Sequence, residues 1–163
     1  MTDKKSGALT VTLPSDQEIL LTREFAAPRR LVFEAFSKPE HIRRWWGLKA
    51  LKMTVCEMDF RVGGNWRFVL RGDDGQEHPF KGVYREIIAP ERLVQTFIYD
   101  VEYIRDMPAV ETITFTETGG RTTLNCRVLH QSKEARDGHL QSGMEPGAAE
   151  SYGRLEEYLR TMA

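Results

Sequence analysis

The segment from Gly143 to Met162 constrains this chain most. Apolar or small residues recur at Met144, Ala148, Tyr152, Leu155, Leu159 and Met162. Steps of three and four place them on one stripe of an α-helix. The other side carries Glu145, Glu150, Arg154, Glu156, Glu157 and Arg160, and the pairs Glu150/Arg154 and Glu156/Arg160 have opposite charge four residues apart. Such pairs add only about 0.2–0.5 kcal/mol each to an isolated helix. The stripe must therefore be buried. Nearly everything before it reads as strand, so the sequence predicts a long last helix lying across one face of a sheet.

The strand reading rests on a change of period. Glu18–Phe25 is a first strand, and Pro28 suits the opening of a short helix through Leu31, Val32, Ala35 and Phe36. Ser37-Lys-Pro-Glu40 has the spacing of a capping box before a second short helix through Ile42 and Trp46, which Gly47 ends. From Lys52 onward the period is two. Strands are expected over Met53–Phe60, around Trp66–Arg71, and over Phe80–Ile88, Leu93–Val101, Val110–Thr116 and Thr122–Leu129, with turn signals at Gly63-Gly64, Asp73-Asp-Gly75, Pro90 and Gly119-Gly120. Glu102 to Pro108 is looser. The expected fold is α+β: a curved, seven-stranded antiparallel sheet around a long C-terminal helix, with two short helices between strands one and two. Residues 1–17 form an N-terminal arm, in which Leu9–Leu13 is a loose piece or an edge strand, and 18–163 form the domain.

Composition excludes several classes of function. A net charge of −1 gives no global field to attract nucleic acid or an anionic membrane. The apolar runs are too short to span a bilayer, and the first seven residues lack an apolar signal core, so a cytoplasmic protein is expected. Cys56 and Cys126 each sit in a strand-like run and read as small core residues. The four histidines, His41, His78, His130 and His139, show no metal-ligand spacing, and neither a metal nor a cofactor is expected. A Gly-x-Ser-x-Gly elbow is absent. Either a monomer or a homodimer is expected, the latter through pairing of Leu9–Leu13 between subunits.

Seven local motifs occur in an order that resembles a known family. They are Leu21-Thr-Arg-Glu-Phe-Ala-Ala-Pro28, Val32-Phe-Glu-Ala-Phe36, Pro39-Glu-His-Ile-Arg-Arg-Trp-Trp-Gly47, Asp59-Phe-Arg-Val-Gly-Gly64, Phe80-Lys-Gly-Val-Tyr-Arg-Glu-Ile87, Pro90-Glu-Arg-Leu93 and Gly143-Met-Glu. Together they resemble the SRPBCC (START-like, helix-grip) superfamily, in the branch named after the C-terminal domain of the activator of the ninety-kDa heat-shock chaperone ATPase. The resemblance implies the helix-grip fold but no single activity, because the superfamily hosts carriers, cyclases, receptors and co-chaperones. Relatives commonly carry a tryptophan near the start of the last helix, where this chain has Gly147-Ala148.

A strongly curved sheet gripping a helix leaves space that small molecules use. Trp66, Phe68, Phe80, Tyr84, Phe97 and Tyr99 alternate along their strands and are expected to face that space, with Gly147, Ala148 and Ser151 lining it from the helix. Glu86 and Gln95 share those strand faces by parity, which makes Glu86 the candidate for a general acid or base. Trp45 and Trp46 divide into a core anchor and a partly exposed residue at the pocket mouth.

The expected function is binding of a small apolar or aromatic molecule in an internal cavity, as carrier or sensor. One alternative is a cyclase- or hydrolase-like enzyme acting in the same cavity. The other is a co-chaperone-type domain regulating a heat-shock ATPase. Fewer than twenty residues precede the first matching strand, so a role that needs a further N-terminal domain is not expected to carry over whole.

Overall fold

The structure, a computed structural model, describes residues 8–101 and 107–162. Its elements run β1 (Thr10–Thr12), β2 (Glu18–Phe25), α1 (Arg29–Ser37), α2 (Pro39–Trp45), β3 (Lys52–Met58), β4 (Asn65–Arg71), β5 (Glu77–Ile88), β6 (Arg92–Tyr99), β7 (Ala109–Thr118), β8 (Arg121–Leu129), α3 (Lys133–Gln141) and α4 (Met144–Met162). The strands form one curved, unclosed antiparallel sheet in the order β1-β2-β8-β7-β6-β5-β4-β3. Residues 1–7 of the expected arm, and 102–106 of the looser stretch, lie outside the described residues.

The helix-grip architecture agrees with the sequence reading, with one more strand than expected. The sheet has eight strands because Thr10–Thr12 pairs with Thr22–Leu20 at the edge of β2. Three residues are too few for alternation to declare itself. Two further expectations are corrected. Ser37 does not cap α2: it ends α1, where its hydroxyl donates to the Glu34 carbonyl at 2.8 Å, and Lys38 and Pro39 open the second helix. A helix also stands between the last strand and α4. Its cap, Ser132, accepts from the Ala135 amide at 3.0 Å, but its fully buried side chain is Arg136, so it shows no apolar stripe.

Alternation gives the sheet an inner face. Ile19, Leu21 and Phe25 on β2, Leu124, Cys126 and Val128 on β8, Ile113 and Phe115 on β7, and Leu93 on β6 are buried against Tyr152, Leu155 and Leu159 of α4. The cysteines are both free, with Cys126 in this core and Cys56 packed partly buried against it. The Asp59–Gly64 motif is a tight turn in which a side chain on Gly64 would stand 1.9 Å from the Asp59 carbonyl oxygen. Only glycine fits there.

Candidate functional site

Cross-strand register sets the inner face out in rows. Phe97 lies opposite Ala109, Gln95 opposite Glu111, and Leu93 opposite Ile113. On the far side of β7, Glu111 faces Val128 and Ile113 faces Cys126. The first of these rows opens into a cleft of about 160 Å³ beneath α3, lined by Phe97, Tyr99, Met107, Ala109, His130, Glu134, Ala135, Gly138 and His139. A cavity of about 150 Å³ holds one benzene ring, so this cleft has the size of a monocycle.

The walls are aromatic and two imidazoles edge them. Phe97 and His139 are stacked, with ring centroids 6.2 Å apart and planes 20° from parallel. Nε2 of His130 lies 2.9 Å from Nδ1 of His139. Burial, then the neighbouring His130, lowers the His139 pKa from 6.5 to about 4. Burial, then Arg136, also lowers that of His130. The His139 ring is therefore neutral at pH 7. Among the described residues no group of three or more His, Cys, Asp or Glu side chains could hold a metal ion.

Five of the six expected aromatics form one continuous group. Phe80 stacks on Tyr99 at 5.0 Å and lies 5.6 Å from Phe97, while Trp66 lies 4.8 Å from Phe68 and 6.0 Å from Phe97. Trp46, only partly buried, closes the group edge-on against Phe68 and Phe80 at 5.0 and 5.2 Å. Trp45 is the core anchor, donating from Nε1 to the Ala35 carbonyl. His78 Nδ1 and the Tyr99 hydroxyl are 2.9 Å apart. Tyr84 stands away from the cleft. It is buried against Phe60 at 5.0 Å, and burial pushes its hydroxyl pKa well up.

The helix trio faces elsewhere. Ser151 accepts from the Gly47 amide at 3.1 Å and donates to the Trp45 carbonyl, and the atom nearest a side chain on Gly147 would be Leu48 Cδ2 at 3.9 Å. Ala148 packs partly buried on the core. These residues thus dock the connection between α2 and β3, and none of them lines the cleft beneath α3.

Parity fails for Glu86. Tyr84 pairs with Gln95 but Glu86 pairs with Val94, so Arg85 is an extra residue in β5. A strand bulge of this kind breaks the alternation that parity relies on. Glu86 joins the outer face with Val94, where it meets Arg92 at 2.7 Å with 44% of its side chain exposed.

The inner carboxyl is instead Glu111. Gln95 Nε2 donates to its Oε1 at 2.9 Å, and burial raises its pKa from 4.5 to about 7 against the lowering effect of that bond. Its parity with Ile113 and Phe115 is the sequence signal that marks it as inward. The outer face carries a second, open hollow of about 520 Å³ lined by Leu20, Arg92, Thr112, Thr114, Asn125 and Arg127. Its two arginines are engaged by Glu86 and Glu18.

Over residues 26–160 the sequence matches the family described as Activator of Hsp90 ATPase homolog 1-like protein. The chain belongs to this family. Solved structures similar to this member of it include a protein from Rhodobacter sphaeroides, 25% identical with a TM-score of 0.87, the match covering 94% of this chain and 99% of that one. A protein from Nitrosomonas europaea is 25% identical with a TM-score of 0.80 over 92% and 98%. The AHSA1 protein of Silicibacter pomeroyi is 23% identical with a TM-score of 0.71 over 90% and 99%. No curated protein matches the chain. Among the described residues of this family member no helix is long and apolar enough to cross a membrane.

Proposed function

We propose that the protein binds a small, uncharged, single-ring aromatic or apolar molecule in the cleft between α3 and the ends of β6, β7 and β8. The observation that carries this reading is the stacked Phe97–His139 pair at a cleft of about 160 Å³. Apolar walls with a few convergent polar groups are the usual make-up of a ligand site. The neutral imidazole of His139 fits an uncharged guest better than an anion. The volume is below the range of about 300–1,000 Å³ typical of drug-sized ligands, which limits the guest to one ring. This reading leaves the carrier or sensor role in place and moves its site from beneath Ala148 to beneath α3.

Two measurements test it. Native mass spectrometry of freshly purified protein should reveal a co-purified small molecule, and titration with toluene should shift the amide NMR signals of Phe97, Ala109 and His139. Saturating toluene with no shift at those residues would remove this function.

A further inference from the structure

Gln95 and Glu111 are a polar pair set among the most deeply buried side chains of the inner face. Their neighbours Leu93, Ile113, Cys126 and Val128 are at most 3% exposed, yet both Gln95 and Glu111 keep accessible surface. Strand alternation turns both inward, toward the concave side. One inward position along each strand lie Phe97 and Ala109, which line the cleft. The polar pair is thus the next row deeper than the aromatic walls.

We propose, resting on the binding reading above, that Glu111 and Gln95 are the polar end of the site and take the hydroxyl group of a phenol-like ligand whose ring lies against Phe97 and Tyr99. The chemistry selects a hydroxyl. Oε1 of Glu111 already accepts from one N–H of the Gln95 amide, which leaves Oε2, the Gln95 carbonyl oxygen and the second Gln95 N–H for a ligand. A ligand carboxylate would stand against a like charge when Glu111 is ionised, with one Gln95 N–H as its donor. A hydroxyl both donates and accepts, so it pairs with Glu111 as a carboxylate or as a carboxylic acid. Because burial holds this carboxyl near neutrality, that versatility matters. The alternative role, a self-satisfied cross-strand pair, uses only one of the two carboxylate oxygens.

Phenol and toluene are near-isosteres and provide the test. In an apolar site toluene binds better, because a buried hydroxyl without a partner is costly. The expected result is that wild-type protein binds phenol at least as tightly as toluene. Glu111→Leu should weaken phenol by about tenfold or more and leave toluene unchanged or tighter, while Glu111→Gln, which still offers hydrogen bonds, should keep most of the preference. If Glu111→Leu fails to fold, the wild-type comparison and Gln95→Leu decide the matter. Toluene preferred by the wild type, or a phenol affinity indifferent to Glu111→Leu and Gln95→Leu, overturns this inference and leaves the binding reading intact. Binding of neither compound overturns both.

Discussion

Arg23 on β2 and Glu156 on α4 meet inside the protein, Nη1 to Oε1 at 2.9 Å, with 6% and 12% of their side chains exposed. The same carboxylate accepts from the Ala26 amide, and the guanidinium lies 4.5 Å over the Phe25 ring. This contact joins the long helix to the sheet by charge beside the apolar contacts of Leu155 and Leu159. Removing one partner of a buried pair strands the other, at a cost of about 3–5 kcal/mol. Glu156→Ala should lose about that much in urea unfolding. Arg23→Met with Glu156→Leu should lose much less than the two single changes summed, since buried pairs are often replaceable by packed apolar residues.

Burial of Glu111 makes folding stability depend on pH. Its pKa is raised on folding from 4.5 to about 7, so its contribution is present in full below 4.5 and is lost as pH rises through 7. Glu111→Gln should therefore be more stable than wild type at pH 8, by about 3 kcal/mol at most, and lose that advantage by pH 4.5. His139 acts the opposite way. Its depressed pKa favours folding above 6.5, and the favour is lost as pH falls toward 4. Urea midpoints of wild type and Glu111→Gln at pH 5 and pH 8 separate the two. Parallel pH profiles would mean that Glu111 is solvated.

Gly138 on α3 lines the cleft, and a side chain there would have nothing within 4 Å. Gly138→Leu should fill the space and favour the helix by up to about 1 kcal/mol. The expected outcome is an unchanged or higher melting temperature together with at least a tenfold loss of toluene affinity. Unimpaired toluene binding in this variant would place the ligand elsewhere.

Gly153 sits in the interior of α4, also with nothing within 4 Å of an added side chain. Gly153→Ala should raise stability by about 0.5–1 kcal/mol, read as a higher midpoint in urea with an unchanged slope. A fall would mean that the helix needs that glycine for close packing.

The family name suggests a chaperone partner. With the site read as a ligand cleft, micromolar protein should leave the turnover of a ninety-kDa heat-shock ATPase unchanged. A several-fold stimulation in a steady-state phosphate-release assay would reverse the order of the two readings.

The inward aromatics Trp66, Phe68, Phe80, Phe97 and Tyr99 are legible because they alternate in strands long enough for parity to hold; of these, Phe97 and Tyr99 line the cleft. Parity misplaces Glu86 by one extra residue, Arg85, because a bulge leaves no composition signal while it breaks the count. Glu111 escapes the same count for a different reason. Its parity with Ile113 was available, but a glutamate inside a strand rich in threonine reads as a solvated residue. The cleft itself was hidden, because α3 contains Lys133, Glu134, Arg136, Asp137 and His139 and only two apolar residues of any use to a core, Ala135 and Leu140. Periodicity reports burial, and this helix is held largely by polar bonds and one ring contact.

On the binding reading, that way of holding α3 bears on how a guest would reach the cleft. The helix is fastened to the rest by the Arg136 bond to the Ser15 carbonyl at 2.6 Å, by the contact between its His139 and His130 and by the stacking of His139 on Phe97, with Leu140 only partly packed. Bonds of this kind contribute about 1 kcal/mol each, well short of the 5–15 kcal/mol that holds a whole domain. Detachment of α3 is therefore a local event, and amide protons of Arg136 to Gln141 should exchange with solvent orders of magnitude faster than those of Leu124 to Val128. If entry of a ligand required that release, uptake would be timed by one short helix and its rate would level off as ligand concentration rises.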